Sequence, residues 1–253
     1  MPCPALPLPL PRRALMALAA LALSACQQLG GYQPAGPAPT APLPAYDADT
    51  GPLTAREAAR NFASVVNRME PAIEAECRQR APQSNCDFQI VVDDRPGQEA
   101  NAFQTLDDSG RPIVAFNLAL IGDARNMDEL AFVMGHEAAH HIAGHIPRQQ
   151  QSAAAGAAIF GGLAQAYGLD AARAQQIGAG LAGRAYAKDY ELEADRLGTI
   201  IAFDAGFDPE KGARFFTRLP DPGDRFLGSH PPNAERIQVV QATLAAIRSG
   251  QIR

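Results

Sequence analysis

Four of the chain's five histidines fall in one ten-residue stretch, HEAAHHIAGH, from 136 to 145. In a helix, side chains four apart share a face, so His136 and His140 point the same way and Glu137 lies one step round. That is the H-E-x-x-H arrangement: two imidazoles to grip one zinc ion, and a carboxylate beside the water such an ion activates. His141 and His145 point elsewhere from an unbroken helix and do not join the pair. The pattern is short, and a helix whose histidines merely bond to nearby backbone would carry it too. A working zinc site also needs a third protein ligand and one open position, which the rest of the chain must supply.

A second group lies downstream in KDYELEADRLGTIIAFDAGFDP, 188 to 209. Glu191 and Asp195 are four apart on a predicted helix and share a face, with Glu193 offset from both. A carboxylate can complete a His₂Glu zinc site. An aspartate one turn later can accept the N–H of a ligating histidine, fixing its tautomer and raising its basicity. Taken alone, the same residues read as a solvated acidic stripe with Lys188 and Arg196 beside it. A third group, GSHPPNAER from 228 to 236, holds the remaining histidine, His230, ahead of two prolines that set an extended loop. His230 and Arg236, with Tyr190 as a further candidate, are the groups available to stabilise a developing oxyanion.

Particular elements must position these residues. Asp128 and Glu129 form an acidic first turn, and Leu130, Phe132, Val133, Met134, Ala138, Ala139, Ile142 and Ala143 suit a largely buried helix. Upstream, Thr54 is a plausible N-cap for a helix, and Pro71 predicts a new helix start or a kink. Residues 87–94, 101–107 and 111–120 have strand character, and Asp108-Ser109-Gly110 predicts a hairpin between the last two. From about residue 150 the pattern is helical. The uncharged run QSAAAGAAIFGGLAQAYG, 151 to 168, reads as closely packed helix and not as a membrane span. Alanine and glycine supply little transfer energy, and Gln151, Ser152 and Gln165 interrupt the run. The expected architecture is α+β and mainly α-helical, a zincin-like domain with a small antiparallel sheet beside the H-E-x-x-H helix.

The 253 residues, 47% hydrophobic and 19% charged, suffice for one sizeable domain plus extensions. No Lys/Arg-rich run with interleaved aromatics points to nucleic acid. Residues 1–25 read as a signal peptide, with Arg12-Arg13 before a short apolar core, too short to span a bilayer. Its ending, Leu23-Ser24-Ala25-Cys26, resembles a bacterial lipobox. The resemblance implies cleavage before Cys26 and acylation of that cysteine, with anchoring to the outer membrane favoured because Gln27 follows in place of an aspartate. Removing the two arginines takes the net charge from −5 to about −7. Residues 26–53, rich in Pro, Gly and Ala, form a tether, and 54–253 form the folded domain. In an exported chain Cys77 and Cys86 read as a disulfide, the alternative being two free thiols.

The combination HEAAH, ELEAD and SHPPNAER, in that order, resembles the family of the CAAX prenyl endopeptidases and HtpX-type membrane proteases, which are gluzincin metallopeptidases. The context NAF at 101–103 and AGFDP at 205–209 matches as well, and the likeness runs from about 54 to 250. The membrane segments of the integral members are absent, so the chain looks like the periplasmic lipoprotein branch. The resemblance implies one zinc ion per chain held by His136, His140 and Glu191, Glu137 as general base and Asp195 behind a ligand. It implies transition-state or regulatory roles for His230 and Arg236, and for His230 it leaves open whether the ring caps the metal in a latent state or stabilises the oxyanion. It also implies an edge strand at Asn101, Ala102 and Phe103 on which an extended peptide adds. The expected activity is endopeptidase cleavage of unfolded or misassembled envelope proteins, with such proteins and the lipid bilayer as partners. A zinc-binding envelope chaperone or assembly factor, and a structural lipoprotein, stay open as other classes. A metzincin is excluded by spacing, since Ala143 and Ile146 stand where that pattern needs Gly and His.

Overall fold

The first helix, α1 (Ala55–Arg80), begins at a reciprocal capping box: the Thr54 hydroxyl accepts from the Glu57 N–H, and the Glu57 carboxylate accepts from the Thr54 N–H. The computed structural model describes residues 53–221 and 231–252. In it α1 is one element through Pro71, so the new helix start expected there is corrected. Phe62, Val65, Met69, Ile73 and Cys77 recur every three or four residues and are buried. At roughly 1.5–3 kcal/mol for each large buried side chain, this stripe outweighs the ~3 kcal/mol that an interior proline costs.

Three strands follow, β1 (Gln89–Asp93), β2 (Ala102–Leu106) and β3 (Pro112–Asn117), in the order β1-β3-β2. The β2–β3 hairpin forms where Asp108-Ser109-Gly110 predicts it. The Asp107 carboxylate accepts from the Ser109 and Arg111 N–H groups, and Gly110 takes φ +83°. The sheet is mixed, and this corrects the antiparallel expectation: β1 runs parallel to β3, from Gln89 opposite Ile113 to Asp93 opposite Asn117. Two chain reversals separate β1 from β3, and β1 takes the edge of β3 that β2 leaves open. The third strand stops at Asn117, short of the expected residue 120. That buried side chain accepts from the Leu120 N–H, caps α2 (Leu118–Asp123), and ties back to Asn101 and Glu99.

The histidine-bearing helix α3 (Met127–Ile142) packs against α1, β2, α6 (Ala187–Asp204) and the short α7 (Pro209–Gly212). Its N-terminus is pinned by Asn126, which caps Glu129, and by the fully buried Glu129 carboxylate. The carboxylate accepts from two Arg218 nitrogens at 2.6 and 2.7 Å and from the Arg125 N–H. Between α3 and α6 the chain makes a hairpin of α4 (His145–Ala166) and α5 (Ala171–Arg184). These helices pack backbone to backbone: a Cβ on Gly156 would lie 2.2 Å from the Gly178 oxygen. Close helix packing is therefore what the alanine- and glycine-rich run provides. No helix among the described residues is long and apolar enough to cross a membrane. The last helix, α8 (Asn233–Arg248), lies against α6.

Candidate metal centre

Two helices bring the site together. From α3, His136 and His140 place their Nε2 atoms 3.2 Å apart. From α6, the Glu191 carboxylate lies 3.6 Å from His136 Nε2 by one oxygen and 3.5 Å from His140 Nε2 by the other. These are the three residues among those described that could jointly hold a metal ion. A tetrahedral zinc with bonds of ~2.0–2.1 Å has ligand-to-ligand edges of about 3.3–3.4 Å. The three donor separations fit that figure, and the His₂-carboxylate set suits the ion.

The Nδ1 of His136 lies 2.9 Å from Asp195 Oδ1, and a carboxylate only accepts, so Nδ1 carries a proton there. Asp195 is fully buried and is gripped in turn by Arg236, whose Nε and Nη2 donate to its two oxygens at 2.7 Å each. The Arg236 guanidinium lies 3.7 Å over the Phe216 ring. Asp195 thus stands between the His136 ring and the Arg236 guanidinium. Beyond Asp195, Arg236 Nη2 lies 3.3 and 3.4 Å from the two His136 ring nitrogens and 3.7 Å from Glu191.

The charges of the metal-free chain follow from this packing. Burial opposes charging His136, but its bond to Asp195 and the nearby Glu191 carboxylate outweigh burial and hold the imidazolium well above its ordinary range. Burial, then the neighbouring His136 charge, pushes His140 down to about 3, so the positive charge sits on His136 and His140 stays neutral. Burial raises Glu137 to about 7, with the Glu191 charge adding to the rise. Burial also works to raise Asp195, but the Arg236 charge and the His136 bond prevail and hold it below the usual carboxylate range. The Gln104 backbone of β2, acting on the Glu137 carboxyl, works against its rise and places the candidate base near the edge strand.

Other sequence candidates fall as follows. Ala102 and Phe103 lie in β2, an edge strand of the sheet, and Asn101 just precedes it, held by Asn117. The Tyr190 ring stacks on His145 at 4.7 Å with Arg148 over its face, so its visible contacts lie behind the donor group. Cys77 and Cys86 form a disulfide. His230 and Cys26, with the expected signal peptide and nearly all of the tether, lie outside the described residues. Sequence reasoning missed two histidine roles. His141 Nε2 donates to the Asn85 carbonyl at 2.8 Å. His145 Nδ1 meets His140 Nδ1 at 2.9 Å, because α3 ends at Ile142 and Gly144, at φ 66°, redirects the chain. That glycine was the available sign of a helix end.

The mainly helical domain, with its small sheet and a His-His-Glu group shared between two adjacent helices, defines a zincin-like metallopeptidase fold. The chain belongs to peptidase family M48, whose sequence profile matches residues 59–244. It is also 36% identical over 129 residues to a Vibrio cholerae serotype O1 protein whose name, beta-barrel assembly-enhancing protease, is given provisionally. That match covers 47% of this chain and 26% of the Vibrio protein, so the chain spans about a quarter of that relative's length.

Proposed function

We propose that the chain is a zinc-dependent metalloendopeptidase of the bacterial cell envelope, acting on unfolded or misassembled proteins. The observation that carries this reading is the donor triangle of His136, His140 and Glu191, sized for one tetrahedral ion with Glu137 beside it. A zinc ion held there supplies Lewis-acid chemistry, polarising a scissile carbonyl and easing the loss of a proton from water. Glu137 Oε takes that proton and delivers it to the leaving amine. Its rise to about 7 in the metal-free chain suits a group that must both accept and give. Asp195, braced by Arg236, keeps the His136 Nε2 lone pair free. The open edge of β2, from Asn101 through Phe103, offers main-chain groups to an extended peptide. His230 either stabilises the oxyanion or caps the metal in a latent state.

The name of the Vibrio relative favours substrates among assembling envelope proteins, and the lipobox-like Leu23–Cys26 favours an acyl anchor in the outer membrane facing the periplasm. The test is metal analysis of the purified full chain, with unfolded casein as substrate. One zinc per chain, chelator-sensitive cleavage, and loss of cleavage with zinc retained in Glu137→Gln are expected. A zinc-loaded chain that never cuts casein would favour the chaperone or assembly-factor reading. A chain without stoichiometric zinc would refute both.

A further inference from the structure

We propose that His145 is the positioning residue of His140, accepting its Nδ1 proton and directing its own ring proton to Glu193. This rests on the metal-site reading above and extends it to residues that reading does not use. With one ring proton on His145, the hydrogen-bond directions leave one assignment, and that is the one proposed. Glu193 Oε2 lies 3.2 Å from His145 Nε2 and only accepts, so the proton of a neutral His145 ring sits on Nε2. His145 Nδ1 is then a lone pair, and the 2.9 Å contact to His140 Nδ1 is a hydrogen bond only if His140 carries its proton there. His140 Nε2 is left as a lone pair aimed at His136 Nε2 and Glu191. That is the tautomer a metal ligand needs.

The relay is built and is not a chance contact. His145 is 3% exposed. Its ring is sandwiched edge-on by His140 and stacked on Tyr190. Glu193 is held in turn by Arg148, at 2.8 Å from the same oxygen. Arg148 also lies 4.5 Å over the Tyr190 ring. In an unbroken helix, residue 145 would stand about 140° away from residue 140, and the left-handed Gly144 is what brings it back. Each metal-facing imidazole therefore ends on an arginine-held carboxylate: His136 through Asp195 to Arg236, and His140 through His145 and Glu193 to Arg148.

The experiment combines two readouts on the full chain. Zinc affinity is measured by competition with a chelating indicator for wild type, His145→Ala and His145→Asn, and the ring-proton positions of the metal-free wild type are read by ¹⁵N NMR. Loss of an outer partner of a ligating histidine costs about 10–100-fold in affinity, so His145→Ala should fall in that range. Asn places an acceptor oxygen near the position of Nδ1, so His145→Asn should recover most of the loss, which a merely space-filling role would not produce. The NMR should show the His140 proton on Nδ1. Zinc affinity within threefold of wild type in His145→Ala, no rescue by Asn, or a His140 proton on Nε2 would overturn the relay. Should His145→Ala fail to fold, the Asn variant and the ring-proton assignment still decide. A wild type that takes up no zinc would sink the metal reading, while the NMR result on that same chain would still judge the hydrogen-bond directions.

Discussion

Gly135 and Gly198 meet backbone to backbone where α3 and α6 come together: a Cβ on Gly135 would stand 2.9 Å from the Gly198 oxygen, and one on Gly198 would stand 2.7 Å from the His136 nitrogen. Both approaches are to main chain, which cannot swing aside. The contact sits one residue before His136 and three beyond Asp195, so it sets the spacing between the two halves of the donor group. Alanine is the better helix former by about 1 kcal/mol, yet here its methyl must push the helices apart. Gly135→Ala and Gly198→Ala should each cost about 1–3 kcal/mol of stability and lower metal affinity at least tenfold. Urea denaturation and chelator competition check this. Variants that are stabilised and bind metal normally would contradict the account.

Metal uptake should release protons. In the metal-free chain His136 holds a proton well above neutral pH, and Glu137, raised to about 7, is about half protonated there. A bound dication repels both protons. Near pH 7 between one and two protons should leave per ion, and affinity should weaken steadily as the pH falls. Titration calorimetry in two buffers of different ionisation enthalpy measures the number. Release of none would mean that the ion binds elsewhere.

Asp195 and Arg236 form a buried pair whose breaking leaves an uncompensated charge. Asp195→Asn and Arg236→Met should each cost roughly 3–5 kcal/mol, and the double variant should cost clearly less than their sum. Because the folded state holds Asp195 below the ordinary carboxylate range, the stability its charge contributes is present at neutral pH. It is lost as pH falls below about 4 towards the folded value. The gap in urea midpoint between wild type and Asp195→Asn should therefore narrow on going from pH 7 to pH 3.5. A gap that widens in acid would reverse the sign of this argument.

What could be read in the sequence was what local periodicity encodes. His136 with His140, and Glu191 with Asp195, each share a helix face through spacing alone, and turn chemistry alone marks the β2–β3 hairpin. What could not be read depends on chain segments meeting. The parallel pairing of β1 has no local signature. Nothing near Pro71 announces that burial of Met69 and Ile73 carries the helix through it. Gly135 and Gly198 look like two weak helix positions until their helices touch. An unbroken helix would turn His145 away from the site, and Gly144 breaks it.

The disulfide links the end of α1 to the entry of the sheet, and the small loop it closes is also tied to the histidine-bearing helix α3. His141 Nε2 bonds the Asn85 carbonyl at 2.8 Å, and the His141 ring meets Phe88 edge-on. Closing so short a loop contributes roughly 2.5–3 kcal/mol in the chain-entropy view, and Cys77→Ala with Cys86→Ala should lower stability by about that much. The loop touches α3 on a different face from the His136–His140 pair, so metal affinity under native conditions should change less than about threefold. His141 gains its bond only while the loop is held in place. His141→Ala should therefore cost less in the cysteine-free background than in wild type, with a coupling of about 0.5 kcal/mol or more. Strict additivity in the double-mutant cycle would show that loop and helix are independent. A collapse of metal binding on removing the disulfide would show instead that the loop, and not the contact of α3 with α6, positions the donors.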